Sequence, residues 1–541
     1  MNNLLSQLNN ELETELSGVE IDFRISKIKG YDLQINNLVR YKNTPEFKDI
    51  TRKLIAYLEK QNIFKKIELT EQGFLNLAFN IKVLAEKISN TSEEFKSTKP
   101  KNILIDYGGP NIGKPLHVGH IRTLNIGRSL YNMNNFVSNK IKSDIHLGDW
   151  GMPVAQIITY LDQNNLNADQ LTAEDFQTIY PKSASEYKEN EQFKIHAQEV
   201  NKLLNTNDQT VVSKWKVIKD KSLARLKEEL NVFGHTFDYW FGESDVNDLI
   251  PEMIEELKEK KLIQEDDGAL VSSEDTDPKI LITKSDGSYL YITTDLATTL
   301  YRQQNLPYDE AIYVVDKRQS LHFEQLFKSI KYFGFNKSKH EHIAYGTLND
   351  AKGNPFKTRD GDTKPLLELF EEVKEYIKKF NEELNDFTLN TLTNSVLTYS
   401  DLLSNRKTDY KFDLEKFASN TGKTGIYVQY SQVRAKKLLE RFESEKTDKL
   451  REFNLAESKL VRELMLFGIY LEQSLKNYEP HHLPNFLYEI SNLFNVFYED
   501  EKFTELSDAE SLNTKLFVTN LFLTTAHNTM YCLGINPVDE M

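Results

Sequence analysis

The stretch from Asn102 to Asn132, NILIDYGGPNIGKPLHVGHIRTLNIGRSLYN, constrains this chain more than any other. NILIDY is a short apolar run bounded by turn residues, which predicts a buried strand. Gly108, Gly109 and Pro110 end it. A second loop, from Gly113 to Pro115, leads into a segment whose apolar residues Val118, Ile121, Leu124 and Leu130 fall on one helical face. A strand that feeds a helix through a Gly-rich turn sets backbone N–H groups and the positive helix end beside a cleft. A phosphate chain would settle there.

Within that turn lie His117, Gly119 and His120. Two imidazoles three residues apart at a helix start can face one cleft and donate protons to phosphate oxygens. Gly119 leaves room for a flat base to lie on the backbone. The plainer reading is a helix-cap histidine and an unrelated surface one. A chance His-x-Gly-His occurs in roughly one chain in a hundred of this length. The strand–turn–helix setting, more than the motif, therefore favours the functional reading.

YGGPNIGKPLHVGH resembles the signature of class I aminoacyl-tRNA synthetases, and Pro110-Asn111, Lys114-Pro115 and HVGH together resemble the arginyl family. The resemblance implies an α/β fold: a Rossmann-like class I catalytic domain, a small N-terminal α+β domain and a C-terminal all-α bundle. It also implies ATP with Mg2+ as co-substrate, and L-arginine and tRNA(Arg) as partners.

At 541 residues the chain has room for three or four domains. No apolar run approaches the ~18 residues of a membrane span. The opening MNNLLSQLNNELETELS is acidic and lacks the basic region of a secretion signal. Cys532 is the single cysteine, which excludes an internal disulfide and a cysteine-based zinc cluster. A cytoplasmic protein is expected, monomeric and without a structural metal. The net charge of -15 speaks against indiscriminate coating of nucleic acid, though not against an RNA ligand. KNTPEFKDITRKLIAYLEKQNIFKK and VRAKKLLERFE are locally basic, yet each reads more simply as a solvated helix face.

In chain order, residues 1–96 read as a small mixed domain, with DFRISK and GFLNLAFN as strands, a helix around KDITRKLIAYLEK, and TSEEFKSTKPK as the linker after it. GYDLQINN and GFLNLAFN resemble the extra domain of arginyl synthetases, which implies contact with the tRNA elbow. Residues 97–370 alternate strands and helices, the pattern of a parallel sheet, around a mostly helical insertion at about 162–280. NKIKSDIHLGDWG predicts a second strand with a tight turn, and MPVAQIITYLDQ a helix. DYWFGES reads as an aromatic packing cluster. KILITK and SYLYIT flank Ser285-Asp286-Gly287-Ser288 and predict a hairpin, with Asp295 in position to cap the next helix. EAIYVVDKRQSLHFEQLFKSIKYF predicts another strand and helix. GNPFKTRDGDTKP, about 240 residues after the histidines, is a basic Gly-rich loop suited to clamping phosphates, or else a plain surface loop. Residues 371–541 show helical periodicity throughout and no strand pattern. Their Phe and Tyr residues could stack bases or fill a core. The resemblance implies an anticodon-binding domain.

Adenylation of arginine and transfer to a tRNA ribose need two anions brought together and charge stabilised on phosphorus. The resemblance places His117, His120, Lys114 and Gly119 on ATP, with Lys357 and Arg359 as a mobile clamp. The loop KMSKS of most class I synthetases here reads Phe356-Lys357-Thr358-Arg359-Asp360, so Thr358 stands in place of the second lysine. Arginyl synthetases with such a loop carry a lysine before the histidines, here Lys114, in its stead. A guanidinium is a planar fork of donors that pairs best with carboxylates. The resemblance points to Asp106 and Asp295 near the arginine, with Asn111, Tyr291 and Gln319 around its ends and stem. Two rival readings are a small nucleotidyltransferase, which would lack the basic loop and helical third, and a synthetase-like RNA-binding protein without catalysis, which the intact His117, His120 and Lys114 disfavour.

Overall fold

The structure is a computed structural model that describes residues 11–12, 15–16, 19, 21–84, 100–273, 279–285, 287–356, 364–442, 450–500, 502–506 and 508–541. The expected linker at 91–101 thus lies almost wholly outside the described residues, as does most of the first expected helix. Four antiparallel strands open the fold, β1 Phe23–Ile25, β2 Leu33–Ile35, β3 Phe64–Leu69 and β4 Leu75–Phe79, in the order β1-β2-β4-β3. Helix α1, Phe47–Gln61, buries Ile50, Leu54 and Leu58, four residues apart, and stops at Asn62 in the left-handed conformation.

The central sheet is wholly parallel: β5 Asn102–Tyr107, β6 Lys140–Asp144, β10 Glu310–Val314 and β11 Lys339–His342, in the order β11-β10-β5-β6. Its middle strands are apolar and buried, as strands covered on both faces must be. Helix α2, His120–Phe136, carries the chain from β5 to β6, while β10 lies on the other side of β5. Strand order therefore reverses at β5, and a crevice opens at the carboxyl ends there. The register sets Asp106 beside both Asp144 and Tyr313.

Helices α3 Met152–Gln163, α4 Ala173–Glu189, α5 Glu191–Asn205 and α6 Gln209–Val232 pack around a separate core that includes Ile158, Phe176, Leu204 and Ile218. After α7, Leu249–Glu259, comes a small antiparallel sheet of β7 Ile263–Asp266, β8 Ala269–Ser272 and β9 Leu281–Thr283. The expected hairpin is present but shorter than read: Thr283 bridges antiparallel to Tyr289 and the Lys284 N–H donates to the Ser288 carbonyl at 3.0 Å, while β9 pairs with β8 and the rest of SYLYIT runs into helix α8, Tyr291–Asn305. Thr293, Leu296 and Ala297 are buried with Thr299 on a helical period that outweighs the strand preference of Tyr-Ile-Thr. Asp295 is consequently inside α8; Leu290 holds the N-cap position.

Beyond β10 the helices are α9 Ser320–Phe333, α10 Leu366–Lys378, α11 Asp386–Leu403, α12 Leu414–Phe417, α13 Gly425–Arg441, α14 Leu455–Leu464, α15 Phe467–Asn477, α16 His482–Asp500 and α17 Ala509–Leu533. One exception interrupts the all-helical expectation: β13, Tyr410–Lys411, pairs with β12, Leu348–Asn349. The short strand tethers the bundle to the loop that follows β11. Helix α2 lies against α17 as well, through Ser129 Oγ to the Cys532 carbonyl at 2.9 Å and Asn132 Nδ2 to that of Tyr531 at 2.7 Å.

Beneath the crevice, Arg302 of α8 is buried and its guanidinium reaches Asp106 at 2.5 Å and Asp144 at 2.6 Å. Removing one partner of such a group leaves buried charge uncompensated, at a cost of about 3–5 kcal/mol. Arg302→Met should therefore lower the free energy of urea unfolding by that order. A variant within about 1 kcal/mol of the parent would contradict the pairing.

Candidate active site

The turn before α2 folds its two imidazoles together, with ring centroids 3.9 Å apart and planes 29° apart. The His117 backbone N–H donates to His120 Nδ1 at 3.0 Å, and the Gly119 N–H donates to His117 Nδ1 at 3.1 Å. Both Nδ1 atoms are acceptors, so the ring protons sit on Nε2 and two Nε2–H donors remain. Withdrawal from water, reinforced by Lys114, holds His117 down to about 4; burial, His117 and Lys114 hold His120 well below the usual imidazole value. The pair is neutral at pH 7 and offers N–H donors rather than charge. A Cβ on residue 119 would sit 2.9 Å from His117 Cε1, so glycine is what lets the first ring fold back.

Two strands of loop flank this turn. The Val118 N–H donates to the Lys364 carbonyl at 3.0 Å, and the Leu366 N–H to the Leu116 carbonyl at 2.9 Å. The first described residues after the basic loop are thus fixed to the histidine turn. Lys357 and Arg359 themselves lie outside the described residues. On the other side, the Ile112 N–H meets the Gly148 carbonyl at 3.1 Å, and a Cβ on residue 148 would collide with Asn111 Oδ1 at 2.1 Å. Lys114 is exposed beside the pair.

Next to this turn opens a cavity of about 1460 Å³, lined among others by Asn111, Trp150, Glu243, Tyr291 and His322. Tyr291, the first residue of α8, is 76% exposed. Asp295 stands one turn further along α8, and its Oδ2 lies 2.7 Å from His322 Nε2. Asp106 has one carboxylate oxygen engaged by Arg302. Gln319 is exposed at the N-cap position of α9. The structure therefore brings Asn111 and Tyr291 to one cavity wall. Asp295 bonds to the lining residue His322, and Asp106 and Gln319 are not lining residues.

Glu243 is the residue that sequence reasoning missed. The aromatic cluster of DYWFGES does pack, with Tyr239 stacked on Phe241 at 5.2 Å and Trp240 edge to face with the preceding Phe237 at 5.6 Å, but its last acid reaches the cavity. Burial, then the charges of Asp295 and Asp149, push Glu243 up to about 8. Asp149 is already compensated by Lys219 at 2.6 Å and by Ser244. Among the described residues no lysine or arginine pairs with Glu243. A cation entering the cavity would meet Glu243 with Asp295 close by.

A metal has less to hold it. Among the described residues Glu479, His481 and His482 bring ligand atoms within 4.8 Å of one another, far along the bundle. There Lys407 already reaches Glu479 at 3.4 Å.

The comparisons with known proteins agree with this geometry. The family model "tRNA synthetases class I (R), catalytic domain" matches residues 82–414, "DALR anticodon binding domain" residues 428–541, and "Arginyl tRNA synthetase N terminal domain" residues 2–79. This chain belongs to the arginyl-tRNA synthetases. An arginine–tRNA ligase of Francisella tularensis subsp. novicida is 34% identical over 496 residues, covering 86% of this chain and 85% of its own. One from Agathobacter rectalis is 34% identical over 545 residues, covering 91% and 90%. The arginyl-tRNA synthetase structure of Plasmodium falciparum superposes with a TM-score of 0.82 at 24% identity, over 100% of this chain and 98% of that one. That of Thermus thermophilus gives 0.84 at 18% identity, over 100% of each. The fold is thus that of an arginyl-tRNA synthetase, with an N-terminal domain, a class I catalytic domain and a helical C-terminal domain. The activity is that of an arginine–tRNA ligase, which joins arginine to tRNA at the expense of ATP. No helix among the described residues is long and apolar enough to cross a membrane.

If arginine binds in this cavity, Glu243 sets the sign of the pH dependence of that binding. Free of substrate, its carboxyl is mostly protonated at pH 7; a neighbouring guanidinium stabilises the ionised form. Arginine binding should release a proton, and affinity should rise with pH up to about 8 and then level off. Titration calorimetry in buffers of different ionisation heat reads both effects. If Glu243→Gln released as many protons as the parent, the assignment would fail.

Proposed function

We propose that the cavity holds the substrate arginine, with its guanidinium between Glu243 and Asp295 and its stem against Tyr291. Asn111 takes its polar end, Gln319 stands outside the lining at the start of α9, and Asp106, through Arg302, keeps the floor of the crevice in place. The reading is supported chiefly by one observation: a half-buried acid with no lysine or arginine partner among the described residues faces a cavity whose wall also holds Asn111, six residues before the first of the two stacked imidazoles. The family's chemistry requires those two kinds of group side by side, since a carboxylate must approach the α-phosphorus.

On the ATP side, His117 and His120 donate from Nε2 to the triphosphate, and the extra negative charge on phosphorus in the transition state strengthens those bonds. Gly119 leaves the approach to the turn open for adenine. Lys114 supplies the fixed positive charge that Thr358 no longer does, and Lys357 and Arg359 close over the phosphates from the basic loop. Mg2+ comes with ATP rather than from a resident site. Residues 1–96 act as the domain that touches the tRNA elbow, residues 97–370 as the catalytic domain with its insertion around 162–280, and residues 371–541 as the anticodon-binding domain. The protein works as a cytoplasmic monomer.

His117→Ala and His120→Ala should each lower the rate of tRNA charging with radiolabelled arginine by on the order of 10²–10³, the usual cost of one transition-state donor. Circular dichroism should be unchanged. A folded variant charging tRNA at the parental rate would take that histidine out of the mechanism.

A further inference from the structure

Asp295 and His322 come from the two successive helices α8 and α9, and His322, which lines the cavity, joins its side chain to that of Asp295 behind it. The 2.7 Å contact between His322 Nε2 and Asp295 Oδ2 joins a titratable base to an acid proposed to read the substrate. We infer that His322 sets how much negative charge Asp295 offers to a cationic substrate, and so acts as a specificity-determining partner of the arginine site. This rests on the reading of the cavity given above.

With a single proton on Nε2, His322 donates to Oδ2, orients the carboxylate and leaves its full charge available. With a second proton on Nδ1, the pair becomes an internal ion pair with no net charge. An entering guanidinium then meets a carboxylate that is already compensated. A proton on His322 and a guanidinium in the cavity therefore compete for one acid, and by linkage each weakens the other.

The direction follows from the surroundings. Its hydrogen bond to Asp295 raises His322 above the ordinary imidazole value, against the opposing effect of burial. Arginine affinity should therefore fall as pH drops through that raised value. The other groups near it are Glu243 facing Asp295, Tyr291 at the mouth, and Lys328 on α9, which pairs with Glu324 at 3.0 Å. Tyr313 of β10 stays protonated far above neutrality because of burial. His342, whose ring stacks on Phe323 at 4.5 Å, is held below the ordinary value by burial and carries no competing charge near pH 7. Glu243 alone titrates in an overlapping range, so its contribution must be removed for a clean test.

The test is calorimetric binding of L-arginine to the full chain from about pH 5.5 to about pH 8.5, spanning the imidazole range. Glu243→Gln is the reference, and the double variant Glu243→Gln/His322→Gln is compared with it. Glutamine keeps an N–H donor for Oδ2 but cannot take up a proton. In the reference, affinity should fall about tenfold towards acid, the effect of neutralising one carboxylate. In the double variant the fall should shrink to about twofold or less. Equal falls in both would overturn the inference while leaving the arginine site standing; no arginine binding by the parent protein at any pH would overturn the site itself. Should the double variant not fold, proton NMR of the parent protein decides. Saturating arginine should lower the His322 ring titration by about one pH unit, and an unmoved titration would count against the competition.

Discussion

Arg122 and Thr123 occupy the first turn of the helix that begins at His120, and through them that turn is fastened on two sides. Thr123 Oγ1 accepts from the Gly108 N–H at 2.9 Å and donates to the Val314 carbonyl at 2.7 Å, tying the helix start to β5 and β10 together. Arg122, buried, donates to the Arg406 carbonyl at 2.9 Å, faces Asp401 at 3.5 Å and lies over the Tyr410 ring. A buried guanidinium that lost such partners would cost several kcal/mol, so the turn cannot drift from the bundle. The imidazoles of His117 and His120 owe their position to this double anchorage. The bundle is then part of the scaffold that holds the histidine turn.

The acids around the crevice divide into two groups, and the division underlies the cation site proposed above. Arg302 compensates Asp106 and Asp144; Lys219 compensates Asp149. Glu243 and Asp295 have no such lysine or arginine among the described residues. Glu243 shows the cost of this in its raised titration, since a half-buried carboxyl without a counter-charge prefers its proton. An incoming guanidinium supplies the missing charge in a geometry that suits two carboxylates. In the arginine site we propose, recognition would draw on that missing counter-charge, which a neutral side chain would not relieve.

The strand, Gly-rich turn and helix from Asn102 to Phe136 were legible in the sequence because their determinants are local: an apolar run, turn residues and a helical period. The bundle was legible for the same reason, apart from β13, a two-residue strand whose partner lies far back in the chain. SYLYIT misled because its strand-forming residue types hid the start of a helical period. At the site, Asn111 and Tyr291 were named from the family resemblance. The engagement of Asp106 by Arg302 could not be foreseen, since nearly two hundred residues separate them. Glu243 was missed because its meaning comes from Asp295 and the cavity, and an acid after an aromatic cluster carries no mark of that. Lys357 and Arg359 fall outside the described residues and rest on the resemblance alone.

The central claim is that the cavity reads the positive charge of a guanidinium through Glu243 and Asp295. Citrulline tests it most directly, because its ureido group matches arginine in shape and lacks the charge. Binding of each to the purified protein is measured by calorimetry at about pH 8, where Glu243 is half ionised. The account predicts that citrulline binds at least about a hundredfold more weakly, as expected when buried charged acceptors lose a charged partner. Affinities within about threefold of each other would contradict it.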